Sequence, residues 1–318
     1  MIVVLSGGTG GAKFVAGLKQ VVRAEDLTVI VNTGDDLRWW GLHVSPDVDS
    51  ITYALAGVLS KERGWGFEGD SFRCLERMRE LGVPGWFQLG DCDLATHLRR
   101  TQLLADGKTL SQATAELAST MGVRSIVLPM TDDPVETRVL TDSGELSFQE
   151  YFVRERYRVP VRGVRFAGAE GAKPAPGVIA AIREADAVFI APSNPITSIG
   201  PILAVPGIRA ALRETRAPVA AISPIVGGAA VSGPAGEMMR LKGFSVSVAG
   251  IAEIYNDFLA VLIADQMDRV SVQAEISAVP VRFTQTIMRS DEDKAALARF
   301  ALEVIAPLRE RVSIPRAG

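Results

Sequence analysis

The chain opens on a short apolar run, residues 2–5. It passes through Ser6 into Gly7-Gly8-Thr9-Gly10-Gly11 and then into an amphipathic helical pattern. Four glycines in five positions between a buried strand and a helix constrain the fold more than any other feature. Glycine lets backbone approach a ligand closely, and a helix start offers free N–H groups at the positive end of the helix dipole. The unit predicts a strand, a phosphate loop and a helix. It is not a Walker A loop, because no Gly-Lys-Ser/Thr follows. Nor is it a full dinucleotide fingerprint, since Lys13 stands where the third glycine belongs.

The rest of the chain repeats this rhythm. Runs rich in Val and Ile at 28–31, 125–128, 187–190 and 219–222 read as buried strands, with 245–248 a weaker sixth. Helical patterns fall at 12–22, where Phe14, Val15, Leu18 and Val22 share a face, and at 50–59, 72–81, 94–104, 111–121 and 291–308. Buried strands alternating with helices predict an α/β fold. The expected core is a Rossmann-like parallel sheet with helices on both faces. Two segments depart from it within one domain spanning 1–318. Residues 50–122 read as a mainly helical insert or cap. Residues 136–166 alternate, and Asp142-Ser143-Gly144 between 138–141 and 145–148 reads as the turn of a β-hairpin insertion.

Composition removes several function classes. The net charge of −3 and the pI near 5.6 leave no basic surface to neutralise nucleic-acid phosphates. Two cysteines, Cys74 and Cys92, outside any CxxC make a zinc site improbable and suit a reducing compartment. No basic leader with a long apolar run is seen, and no membrane-length apolar stretch. A cytoplasmic protein without membrane or nucleic-acid partners is expected.

In an open α/β sheet, ligands bind beyond the carboxyl ends of the strands. Those ends carry Gly8, Thr9, Gly10, Gly11 and Lys13; Asn32 with Asp35 and Asp36; Thr131-Asp132-Asp133; Ser193 and Asn194; and Ser223 to Gly228. The glycine loop with Lys13 suits a phosphate. Asp35, Asp36 and Asp49 are candidate Mg²⁺ ligands and catalytic carboxylates, because Mg²⁺ takes one or two carboxylates plus phosphate oxygens. Asp93 reads equally as a helix cap. Ser193 and Asn194 offer a hydroxyl and a carboxamide for a base or ribose edge. Trp39 and Trp40 suit either a flat heterocycle or the core, and His43 and His97 suit structure better than catalysis.

Taken in order, segments 6–13, 32–36, 41–50, 89–100, 128–133, 191–203 and 222–236, with Tyr255-Asn256-Asp257-Phe258, resemble the 2-phospho-L-lactate/phosphoenolpyruvate transferase family of coenzyme F-420 biosynthesis. The most specific are Ser45-Pro46-Asp47-Val48-Asp49-Ser50 and the run 192–203. The resemblance implies a guanosine diphosphate ester of lactate, enolpyruvate or glycerate as donor. The acceptor would be the ribityl hydroxyl of the 5-deazaflavin Fo, with GMP leaving, Mg²⁺ required and a homodimer common. The glycine loop would hold the diphosphate, and Asp49, Ser193 and Asn194 would meet the deazaflavin. One departure is Cys92, where the family pattern places Arg between the aspartates at 91 and 93; Lys13, Arg99 or Arg100 would then replace that cation. Two rival readings are a non-catalytic nucleotide-sugar-binding regulator sharing the glycine loop, and an NAD-type oxidoreductase, which Lys13 opposes.

Overall fold

The computed structural model describes residues 1–272 and 279–313. Seven strands form the central sheet: β1 (Ile2–Ser6), β2 (Leu27–Val31), β3 (Ile126–Pro129), β4 (Ala187–Ile190), β5 (Val219–Ile222), β6 (Val261–Asp265) and β7 (Val281–Thr284). Their spatial order is β7-β6-β5-β4-β1-β2-β3, and every pairing is parallel. Alternate residues of one strand face opposite layers. Val3 and Leu5 of β1 join one core with Val188, Ile190 and Leu262, while Val4 joins the other with Val29, Phe189 and Ile263. Burying each such side chain contributes about 1.5–3 kcal/mol, which explains why these strands are apolar on both faces.

Helices cover both faces. α1 (Gly8–Val21) packs on the C-terminal helix Asp291–Ser313 and on α2 (Pro46–Ala56). The first crossing is tight, because a Cβ on Gly17 would collide with the Lys294 carbonyl. α2 sends Val48, Ile51, Ala54 and Leu55 into the sheet core. Beyond it come α3 (Arg73–Glu80), α4 (Asp91–Ala105) and α5 (Leu110–Thr120), the last opened by a capping box of Thr109 and Gln112.

Three details differ from the sequence reading. Residues 245–248 are not a strand: Ser247 accepts the Gly250 N–H and caps the helix Val248–Ile254. β6 and β7 extend the sheet where no strand was read. The hairpin Glu136–Thr141/Gly144–Ser147 gains a third antiparallel strand, Val161–Ala167. No helix among the described residues is long and apolar enough to cross a membrane.

Candidate active site

The strand order reverses between β1 and β4, so their following loops diverge and leave a crevice. The loops are pinned together. Ser193 Oγ donates to the Gly7 carbonyl at 2.7 Å and accepts the Gly7 N–H at 3.3 Å. The glycines permit the approach: a Cβ on Gly10 would meet the Pro192 carbonyl, and one on Gly11 would meet Ser6 Oγ. Gly8 has φ +66°. Part of the glycine richness is therefore a packing need. Asn194 turns its Oδ1 onto the Ile196 and Thr197 N–H groups, at 3.0 and 3.3 Å.

A cavity of about 700 Å³ opens at this crevice. Gly8, Thr9, Gly10, Lys13, Asp35, Asp49, Ser193 and Asn194 all line it, whereas Gly11, Asn32 and Asp36 do not. Asp47, passed over among the candidate ligands, does. Its Oδ1 accepts the Gly8 N–H at 2.8 Å, and its Oδ2 accepts from Asn32 Nδ2 at 2.9 Å. Asn32 thus orients a carboxylate rather than meeting a ligand. Burial pushes the Asp47 carboxyl up to about 6. Asp35 is raised well above the usual carboxylate range by its own burial and then by the charge of Asp47. Its Oδ1 has no hydrogen-bond partner among the described residues.

The other aspartates face side chains of the scaffold, although Asp36 Oδ1, like Asp35 Oδ1, has no hydrogen-bond partner among the described residues. Asp36 accepts from Ser45 Oγ at 2.7 Å and faces His43 Nε2 at 3.0 Å. Asp49 is held through both oxygens by the buried Arg100, with Nη1 at 3.0 Å and Nη2 closer. Asp93 accepts the Tyr53 hydroxyl at 2.8 Å and lies 3.3 Å from His97 Nε2. Burial pushes Asp93 upward, but His97 and Tyr53 outweigh it and hold it below the usual range. Asp49, Asp93 and His97 offer atoms within 4.8 Å of one another. A cation there would sit against Arg100, whose Nη1 is 3.3 Å from His97 Nδ1, so the cluster does not suit a metal. Successive helical residues turn about 100°, so Asp47 and Asp49 on α2 point in nearly opposite directions. One meets the glycine loop and the other meets α4.

The raised carboxyls have a measurable consequence. An acid with a folded-state pKa above its unfolded value binds protons more tightly when folded, so stability falls as pH rises between the two values. For Asp47 that window runs from 3.8 to about 6. In metal-free buffer, stability relative to the Asp47→Asn variant should rise by on the order of 3 kcal/mol as pH drops from neutral to about 4. Urea unfolding of both proteins across that range measures the difference; a flat difference contradicts the carboxylate pair.

The cavity is also lined by aromatic side chains, Trp65, Trp86, Phe87, Phe148 and Phe152. Trp39 and Trp40 do not line it. Trp39 is buried, edge-on to Trp86 at 4.7 Å, and Trp40 stacks behind it. The aromatic lining comes from segments read only as helical insert and hairpin, where aromatic content was the available signal. Of the cations considered for the Cys92 departure, only Lys13 reaches the cavity; Arg99 pairs with Glu116 on the surface.

At the switch point of a doubly wound parallel sheet, where such folds open a ligand crevice, this chain gathers a glycine loop, a carboxylate pair and aromatic side chains. The chain belongs to the family described as 2-phospho-L-lactate transferase CofD, which it matches over residues 2–303. It is 41% identical to 2-phospho-L-lactate transferase of Methanosarcina mazei, over 95% of this chain and 99% of that one. It is 45% identical to phosphoenolpyruvate transferase of Streptomyces griseus, over 97% and 99%. A crystal structure of a UPF0052 family protein from Bacillus halodurans matches with TM-score 0.62 at 16% identity, covering 95% of this chain and 98% of that one; this likeness concerns the fold.

Proposed function

We propose that the protein transfers a phospho-acid from a guanosine diphosphate-activated donor to the ribityl hydroxyl of Fo, releasing GMP, in coenzyme F-420 biosynthesis. The observation that carries this reading is the joining of two unlike surfaces in one cavity. The glycine loop and acidic pair suit a diphosphate, and the aromatic wall suits a deazaflavin. The hydroxyl oxygen attacks the phosphorus bearing the acid. The bond from that phosphorus to the GMP oxygen breaks, GMP leaves with the electron pair, and the hydroxyl proton passes to solvent or a phosphate oxygen. Such transfer depends chiefly on positioning and charge stabilisation. The Thr9 and Gly10 N–H groups have no acceptor within the helix and suit non-bridging oxygens, and Lys13 adds the cation.

Asp35 and Asp47 fit Mg²⁺. Two buried, mutually repelling carboxylates, one with an unpartnered oxygen, suit a divalent cation better than water. When bound, Mg²⁺ neutralises charge building on the diphosphate. Asp36 and Asp49 then hold the wall of the site. The homodimer and cytoplasmic location belong to the same reading, and light scattering in solution checks the first.

The test mixes purified protein, Fo, Mg²⁺ and a donor made in place from GTP and 2-phospholactate, phosphoenolpyruvate or phosphoglycerate. GMP and a phosphodiester-linked deazaflavin are the expected products with at least one acid. Binding of Fo and guanosine nucleotide without product from any of the three contradicts the reading and favours the non-catalytic binder.

A further inference from the structure

The stretch after the hairpin is conformationally unusual. Residues Glu150–Arg154 form a π-helical turn, a form concentrated at functional sites. It is followed by two consecutive non-glycine residues in the left-handed region, Arg156 at φ 52° and Tyr157 at φ 45°. Side chains there clash with their own backbone, and such residues persist where surrounding contacts over-determine them. Those contacts are present. The Tyr157 N–H donates to the Tyr151 carbonyl at 2.9 Å. The Tyr151 hydroxyl donates to Glu237 at 3.0 Å. Phe148, Phe152 and Tyr157 stack in series at 5.5 and 5.7 Å.

The turn presents one charge to the site. Arg154 is consumed by Glu150 and Glu155, both at 2.8 Å. Arg156 lines the cavity and has no ion pair, hydrogen bond or ring contact among the described residues. Among the described residues, Lys13 and Arg156 are the only lysine or arginine side chains that line it. Lys13 stands on the first turns of α1, beside the glycine loop. The 2-phospholactate and phosphoenolpyruvate named for the relatives both carry a carboxylate besides their phosphate. With loop, acidic pair and Lys13 assigned to the diphosphate, that carboxylate is the anionic group left without a counterpart, and Arg156 is the cation left without one.

We propose that Arg156 reads the carboxylate of the transferred acid. This rests on the transferase reading above. A guanidinium offers two parallel N–H donors that match a carboxylate, which an ammonium does not. Arg156 would then select phospho-2-hydroxy acids as a class, because lactate, enolpyruvate and glycerate share that carboxylate. Distinguishing among the three falls to other side chains.

The experiment first establishes transfer by the wild-type protein, so failure of the functional reading is seen separately. Arg156→Gln and Arg156→Lys are then compared. Arg156→Gln should raise KM for the donor by about 10- to 100-fold, the loss expected for a charge-assisted bidentate contact. Arg156→Lys should recover part of that. KM for Fo and the inhibition constant of GDP, which lacks the acid, should stay unchanged. A donor analogue with methyl in place of the carboxylate should bind wild type and Arg156→Gln alike. An unchanged donor KM in Arg156→Gln overturns the proposal. So does a parallel weakening of GDP, which would place the guanidinium on phosphate instead.

Discussion

Replacing Asp35 by asparagine should lower turnover about a thousandfold, the scale of removing one preorganised charge from a phosphoryl-transfer site. The metal-free variant should also melt at a higher temperature than wild type at neutral pH. Both halves follow from one observation. Asp35 is buried, its Oδ1 has no partner among the described residues, and burial together with Asp47 raises its pKa. Such a carboxylate destabilises the folded chain when ionised, because Asn32 and Thr137 beside it do not offset its burial and the charge of Asp47. Asparagine keeps the shape and removes the charge, a trade of function against stability common at active sites. Kinetics and calorimetry on the same preparation test it. Near-normal turnover in Asp35→Asn, or a lower melting temperature without metal, contradicts the assignment.

Replacing Arg100 by leucine should cost about 3–5 kcal/mol of stability, the price of leaving a buried charge without its partner. Arg100 is 1% exposed and Asp49 4%. Burial alone would lower the guanidinium's pKa, but Asp49, with smaller contributions from Tyr53 and Asp36, more than offsets this, so the guanidinium stays charged. A second change, Asp49→Asn, should restore part of the loss, because the orphaned charge disappears. Turnover per folded molecule should fall far less in the double variant than in Asp35→Asn. If instead the double variant is as inactive as Asp35→Asn while folded, Asp49 acts in the chemistry rather than in the scaffold.

These two variants mark where sequence reading and structure part. The glycine loop, the alternation of strands and helices, β3 and four of the five fully buried strands were legible, because a strand buried on both faces must be apolar along its length. The fifth, β6, is as fully buried but was not read as a strand. β7 was not: its residues are only partly buried, and Val281, Arg282, Phe283 and Thr284 alternate weakly. The Ser-Val-Ser-Val run at 245–248 reads as a strand by alternation, yet Ser247 is equally a helix cap, and the cap prevailed. Within the site, Asp47 and Asp49 look equivalent as letters. Their roles separate only through the direction each takes from α2, and that depends on where the glycine loop and Arg100 lie. The aromatic wall was hidden for a similar reason. Trp65, Trp86 and Phe148 come from distant segments, and their convergence is a property of the tertiary fold. Trp39 and Trp40, adjacent to the acidic motif in sequence, turn away to support Trp86.

The central claim is that Asp35 and Asp47 together form the cation site of a phosphoryl-transfer pocket at the β1/β4 switch point. Anomalous scattering from crystals grown with Mn²⁺ and GDP tests it most directly. The account predicts a manganese peak at the Asp35 and Asp47 carboxylates, beside the nucleotide's phosphates. A peak at Asp49, Asp93 and His97, or nucleotide bound with no metal at Asp35 and Asp47, would contradict it.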